Sequence, residues 1–471
     1  MPRTVLSVAQ TRRWEEASWQ AGRDARQVVA EVGRLIAGRV MEMTRPRARV
    51  MVLCGKGSNG EDAAQVGFRL EGRVVDVIRV LDPARGLESM KAGLAHAPDL
   101  VVDGLFGIGL DRALDPAWTE VIHTLNAAKR PVLSVDVPSG LNADTGLPQP
   151  VAVKARWTFA VGALKQGLLA ASAAASVGHL ELLAEIGLVE CAEAGELEAV
   201  LPSDYLGFPP PRSESEHKGD FGHLAILAGS LGYHGAAVLA ARGAARARPG
   251  LTSLFTSPET YAPVASNLVG TMVAPWRASF LDHARYSAIL VGPGLAAVSG
   301  LEIAREALSD AWREADLPVI VDASALDWLQ PQSVMSEAVR VITPHSGEAA
   351  RMLEVDVSEV NGDRPGAVRA LSRRYGDTWV VLKGSRTLIG RGEGVIRVNL
   401  SGNPGMAQGG SGDVLAGYLG GLLAQSALVQ DPLQTLAYAV WMHGRTADYL
   451  ESQSSHWVVE ELAENLGATR F

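Results

Sequence analysis

Cysteine is nearly absent from this chain: Cys54 and Cys191 are the only two, and they lie far apart in sequence. That excludes a disulfide framework and a thiolate zinc site, and it predicts a reducing, cytoplasmic setting. Basic charge is also short. Lys and Arg number 43 against 52 Asp and Glu, a formal charge of −9, so neither nucleic acid nor an anionic membrane is the expected partner. Any phosphate must be held by local loops. Long apolar runs are missing too. The nearest, "LKQGLLAASAAASVGHLELLAEIGLV", is alanine-rich and carries His179, Glu181 and Glu185, which reads as soluble structure rather than a membrane span. The first twenty residues show no basic-then-apolar secretory pattern.

A length of 471 residues exceeds one ordinary core, so two domains are expected. Short β-branched runs alternate with helical patterns, the signature of parallel sheets with crossover helices. In the first half "RVMVLCG", "VVDVIRV", "DLVVDGLF" and "PVLSVDVP" read as buried strands, preceded by a helix from about Thr11 to Thr44. "HLAILAG", "GLTSLFT", "AILVGPG", "PVIVDAS", "VRVITPH" and "WVVLKG" repeat the style in the second half. Each strand ends in a loop of glycine, proline or carboxylate, and ligands of open parallel sheets bind at such ends. The composition shift at "LPSDYLGFPPPRSESEHKGD" places the seam near Leu206, giving domains 1–205 and 206–471.

The second half carries the stronger chemistry. In "NPGMAQGGSGDVLAG" small residues crowd up to Asp413 and then yield to a helical pattern. Gly409, Gly410, Ser411 and Gly412 offer successive N–H groups at a helix start, a nest for a phosphoryl group. Asp413 stands where it can take a proton from a hydroxyl attacking phosphorus. The bland alternative is a glycine turn with Asp413 capping the helix. "VLKGSRT" puts Lys383 and Gly384 at a strand end, suited to a nucleotide's phosphate or ribose, and "VITPHSGE" places His345 after another strand, with no second histidine at metal-ligand spacing.

With "HKGDFG", "LAGSLGYHGAAVLAAR", "VGPGL" and "VDASAL", these segments resemble, in order, the ADP- or ATP-dependent NAD(P)H-hydrate dehydratase family, a branch of the ribokinase-like α/β fold. The resemblance implies a substrate in which water has added across the ring of NADH or NADPH, its S form, and a reaction that phosphorylates the hydroxyl and expels phosphate. It implies Asp413 as base, Gly409 to Gly412 as anion hole, and Lys383, Gly384, Ser385, Arg386, Thr387 and Gly412 on the nucleotide, ADP with Mg2+. Ala236, Gly294, His345 and Asp413 would contact the hydrate. Ser401, Gln408 and Ser411 stand where the family usually has threonine, and "RARPGL" replaces its usual "RAGAGL".

In the first half "GKGSNGED", "DGLFGIGL" and "VDVPSGLNADTG" put oxygen ligands Asn59, Asp103, Asp136 and Ser139 at three strand ends. Hard oxygens without imidazole suit a monovalent or hard cation; the alternative is that Asp103 and Asp136 only cap turns. With "WTFAVGALKQGL" these loops are similar to the NAD(P)H-hydrate epimerase domain, a Rossmann-like three-layer α/β/α sandwich, often fused ahead of the dehydratase. The resemblance implies K+ on Asn59, Asp103 and Ser139. It implies hydrate contacts from Ser58, Asn59, Gly60, Glu61 and Asp62, from the loop Gly107, Ile108, Gly109, Leu110, Asp111, Arg112 and Ala113, and from Asp136, the acid–base residue. Glu61 and Ala63 depart from the family's loop: one adds negative charge near a phosphate-bearing substrate, the other cannot adopt positive φ cheaply. The whole is expected to be a homo-oligomeric bifunctional cofactor-repair enzyme acting on small molecules. A small-molecule kinase, or a first half serving only as binding scaffold, stands as the alternative.

Overall fold

Along strand β1 (Arg49–Cys54) the side chains alternate between two apolar layers, and the first unit is built on that alternation. Val50, Val52 and Cys54 face one core with Val32, Ile36 and Val40 of the helix Ala25–Met43. Met51 and Leu53 face the other, with Met90, Val121, Ile122 and Leu125 from the helices Pro83–Ala95 and Pro116–Ala127. The result is a three-layer sandwich. Its sheet adds β2 (Val74–Arg79), β3 (Leu100–Gly104), β4 (Val132–Val135), β5 (Trp157–Val161) and β6 (His179–Leu183). The order is β2-β1-β3-β4-β5-β6, and every pairing is parallel.

This computed structural model describes residues 4–277, 282–296, 301–332 and 334–468. The four expected strands of the first half are present. β5 and β6 were not foreseen, and β6 lies inside the alanine-rich segment. The expected helix from Thr11 to Thr44 is two helices, Val8–Gln20 and Ala25–Met43. Gly22 at φ 84° stops the first, and the Asp24 side chain accepts from Arg26 N–H to start the second.

After a short strand β7 (Leu197–Ala199), the compact units divide between Ala199 and Val200. The segment beyond Val200 is less of a linker than its prolines suggest, for Val200 and Tyr205 are buried in the second unit's core. That unit contains β8 (His223–Leu227), β9 (Leu251–Thr256), β10 (Met272–Pro275), β11 (Ala288–Val291), β12 (Val319–Val321), β13 (Arg340–Ile342), β14 (Trp379–Leu382), β15 (Leu388–Gly390) and β16 (Ile396–Val398). They lie in the order β10-β9-β8-β11-β12-β13-β14-β15-β16, parallel as far as β14 and antiparallel after it. On one face the helices His234–Ala247 and Ser411–Leu423 touch backbone to backbone. A Cβ on Gly417 would lie 1.8 Å from Ala240 O, and one on Gly243 would lie 2.2 Å from Val414 O, so these glycines fix how the helix that carries Asp413 seats. No helix among the described residues is long and apolar enough to cross a membrane.

Candidate functional site

In the second unit the loop "GGSG" enters its helix through Gly410, which is left-handed at φ 96° and has Leu239 where a Cβ would project. The helix begins at Ser411 and carries Asp413 in its first turn, so Gly412 and Asp413 both present N–H groups without intrahelical partners. Asp413 is half-buried. Burial, with the carboxylates of Asp322 and Glu348 nearby, pushes its acid up to about 7, despite the opposing pull of Lys383.

Lys383, at the end of β14, reaches the same turn: its ammonium lies 3.5 Å from where a Gly412 Cβ would project. It donates to Asp322 Oδ1 at 2.7 Å and lies 3.9 Å from Glu348 Oε2. Burial alone would depress this ammonium's pKa, but the two carboxylates more than offset it and the value is raised. Asp322, at the end of β12, is buried and also accepts from Thr343 Oγ1 at 2.6 Å. Four groups from four strand or helix ends thus converge. Asp322 and Glu348 were not singled out from sequence, although both lie inside recognised motifs; a buried carboxylate after "VIV" was the available signal.

The remaining expected residues fall around this centre. His345 caps the helix Ser346–Leu353, its Nδ1 accepting from Gly347 N and Glu348 N, while its ring stays exposed. Gly384 and Ser385 are exposed, and Thr387 is buried with its hydroxyl bonded to Gly384 O at 3.0 Å. Arg364, also unforeseen, donates to the carbonyls of Leu382, Lys383 and Arg386 and to Ser346 Oγ, tying the "KGSRT" loop to the "TPHSGE" loop. Arg386 is partly buried, which depresses its guanidinium to about 10. Ala236 and Gly294 meet each other: a Cβ on Gly294, whose φ is +66°, would lie 2.9 Å from Ala236 Cβ. The next glycine back, Gly292, abuts the Asp322 backbone.

The departures are accommodated. Ser401 Oγ bonds Asn399 Oδ1 at 2.9 Å and Trp441 O at 2.8 Å, and Gln408 Nε2 donates to Gly405 O at 2.8 Å. Ser411 opens the helix, and the fully buried His443 ring meets its backbone. Burial lowers His443 to about 4, so it is a neutral wall of the site. In "RARPGL" Arg248 is the left-handed cap of the helix His234–Ala247 at φ 60°, the position a glycine would fill more easily.

The first unit gathers its groups in the same way. Residues 58–67 form a helix rather than a positive-φ loop, so Ala63 is helical and unstrained, and Gly104 leaves room for it. Glu61 pairs with Arg79 at 2.9 Å, which neutralises the added charge. Ser58 and Glu61 are exposed, and Asn59, Gly60 and Asp62 are buried. The segment Gly107–Ala113 is a partly exposed turn whose Gly107 lies over Asn59.

Asp136 follows β4 in a left-handed conformation at φ 65°. Its Oδ1 accepts from Val161 N at 3.0 Å and from the ammonium of Lys165, which is only 1% exposed and bonds Val161 O at 2.8 Å. Lys165 was not assigned from sequence. Burial, followed by the charges of Asp136 and Glu15, pushes Asp62 up to about 8. Asp103 is fully buried, and its two oxygens accept from Ser134 Oγ, Ser139 Oγ, Ser139 N and Leu105 N. Asn59 donates to Phe106 O at 2.8 Å, Ser139 Oγ accepts from Phe106 N at 2.9 Å, and Asn59 Oδ1 is buried with no partner among the described residues. A buried acceptor left open beside a carbonyl and a hydroxyl is a donor set for a hard cation.

Known proteins match both units. A family model described as NAD(P)H-hydrate dehydratase matches residues 224–468, and one described as YjeF-related protein N-terminus matches residues 81–167. The bifunctional NAD(P)H-hydrate repair enzyme Nnr of Gloeobacter violaceus is 33% identical, covering 98% of this chain and 96% of its own. That of Escherichia coli K12 is 32% identical over 96% and 91%, and that of Vibrio cholerae 37% over 75% and 70%. Among solved structures, a ribokinase-like superfamily protein from Enterococcus faecalis superposes with a TM-score of 0.51 at 24% identity, covering 59% of this chain and 97% of that one. The ADP/ATP-dependent NAD(P)H-hydrate dehydratase from Bacillus subtilis, co-crystallized with ATP/Mg2+, gives 0.49 at 32% identity, covering 55% and 92%. With relatives aligned along nearly its whole length, the chain belongs to the bifunctional NAD(P)H-hydrate repair enzyme family.

Proposed function

We propose that the second unit restores NADH or NADPH from its S hydrate at the expense of ADP, and that the first interconverts the R and S hydrates. The observation that carries the first part is a carboxyl near neutrality, Asp413, on a helix turn of free N–H groups with an ammonium against it. Asp413 takes the hydrate's hydroxyl proton as that oxygen attacks the terminal phosphorus of ADP and AMP leaves. The N–H groups of Gly412 and Asp413 and the Lys383 ammonium hold the migrating phosphoryl charge. Phosphate then departs from carbon, driven by the ring nitrogen's lone pair, and a ring proton is lost to complete the double bond. A side chain that neither accepts a proton nor meets phosphate would not need this setting.

Magnesium is assigned to the nucleotide's own phosphates. No group of three metal-ligating side chains occurs among the described residues, and Asp322 and Glu348 already share Lys383.

In the first unit the hydroxyl-bearing carbon is bonded to nitrogen, so the ring can open and reclose. Asp136 takes the O–H proton as the C–N bond breaks, and neutral Asp62 gives its proton to nitrogen; closure on the other face returns both. Asn59, Ser139 and the Phe106 carbonyl would hold potassium, with Asp103 orienting Ser139, and the ion would supply charge and rigidity to the loop over the substrate. The Asp103 oxygens are already fully hydrogen-bonded, so its part is indirect.

The test is a purified R/S hydrate mixture treated with ADP or ATP separately. Complete return of reduced-cofactor absorbance with ADP is expected. Return of half would leave the first unit a scaffold, and a stable phosphoester would make the second unit a kinase.

A further inference from the structure

Lys383 has a choice of carboxylates, and the structure shows which one it takes. Its ammonium contacts Asp322 Oδ1 at 2.7 Å, with Glu348 at 3.9 Å, while lying against the Gly412 turn beside Asp413. Drawn onto Asp413, this ammonium would weaken its hold on the hydroxyl proton and would also leave the phosphoryl seat. Asp322 is well placed to prevent this. It is 1% exposed, anchored by its N–H to Val291 O at 3.0 Å, and its carboxylate is fixed by Thr343 Oγ1 at 2.6 Å. Strands β11, β12, β13 and β14 all contribute to this one tether.

We infer that Asp322 is a positioning residue for dehydration, holding the Lys383 ammonium on the anion turn and off Asp413. Asp322 therefore has two effects on the reaction. It aims a cation at the migrating phosphoryl group, and its own charge keeps Asp413 basic enough to accept the hydroxyl proton. This inference rests on the functional reading above. The groups facing Asp413 are Asp322 after β12, Lys383 after β14 and Glu348 on the helix Ser346–Leu353, while the neutral His443 on the helix Pro432–Gln453 meets the Ser411 backbone. Of these, only Asp322 and Lys383 form a close ion pair, so they can be separated by opposite signs.

The test uses the full chain, with dehydration of S hydrate followed against pH and ADP binding followed by thermal shift. In Asp322→Asn the acid limb should move to lower pH by about one unit, because a neighbouring negative charge is gone and Lys383 is free to pair with Asp413. Its plateau rate should fall about 10²-fold, with ADP affinity within about threefold. Asp322→Glu should recover part of that rate. In Lys383→Met the rate should also fall, but the limb should move upward. Limbs that stay in place, or that move in the same direction, overturn the inference. Should Asp322→Asn fail to show an ADP thermal shift, the Lys383→Met limb decides alone, and a static or downward limb overturns it. A wild type that does not dehydrate the hydrate sinks the functional reading and this inference together; an active wild type with static limbs sinks only the inference.

Discussion

The two units treat the same pair of side chains differently. In the first, Lys165 is buried directly on Asp136, and the neighbouring Asp62 is left neutral by burial. In the second, Lys383 is half-buried against a different carboxylate, Asp322, and no ion pair to Asp413, the proposed base, occurs among the described residues. On the proposed chemistry, the contrast follows from what each site must move. A ring that opens and recloses needs one acid and one base, which a tight ion pair beside a neutral carboxyl supplies. A phosphoryl group in transit needs a cation that is free to face it, so the lysine must be held by a third party.

The largest expected effect removes the base on the unpaired side. Asp413→Asn should lower dehydration about 10³-fold while ADP binding stays within about threefold; loss of binding in a calorimetric titration would make Asp413 structural. On the paired side Asp136→Asn should abolish epimerisation and leave dehydration of S hydrate intact. It should also strand the Lys165 charge, destabilising the first unit by about 3 kcal/mol, read as an earlier thermal transition. If the transition stays in place, the buried pair is not what the contrast claims.

The pH profiles should separate as well. Dehydration should rise tenfold per unit up to about pH 7, where Asp413 loses its proton. Epimerisation should fall above about pH 8, where Asp62 loses its proton. Because the folded value of Asp62 lies above the unfolded one near 4, the native state holds a proton that the unfolded chain has lost. Stability therefore declines as pH rises through that window and levels off above about 8. Asp62→Asn should raise the first unit's midpoint by about 3 °C at alkaline pH and by little at acid pH. The smallest effect lies outside both sites: Arg248→Gly should relieve a left-handed cap and stabilise the second unit by about 0.5 kcal/mol, seen in denaturant midpoints.

Much of this was legible in the sequence, for a physical reason. Strands β1, β3, β4, β8, β11, β12, β13 and β14 are short apolar runs ending in glycine, proline or a carboxylate, and periodicity with punctuation suffices to find them. β15 and β16 are three-residue pieces of a stretch broken by arginine and glycine, and β6 hides in alanine, so all three escaped. Asp413 and Lys383 could be read because their motifs crowd glycine around a single charge. Asp322 left only the signal of a carboxylate after an apolar run, and Thr343 and Arg364 left none, since their partners lie on segments that only the fold brings together. Likewise the concern over Ala63 assumed a loop, and only the helix Ser58–Gly67 shows that the position asks for no positive φ.

The central claim is that the turn before Asp413 seats the migrating phosphoryl group. The most direct measurement is a structure of the protein with ADP and a hydrate analogue that cannot lose its hydroxyl. The terminal phosphate oxygens should lie about 3 Å from the N–H groups of Gly412 and Asp413 and from the Lys383 ammonium. A terminal phosphate bound elsewhere, with that turn facing only solvent, would contradict the account.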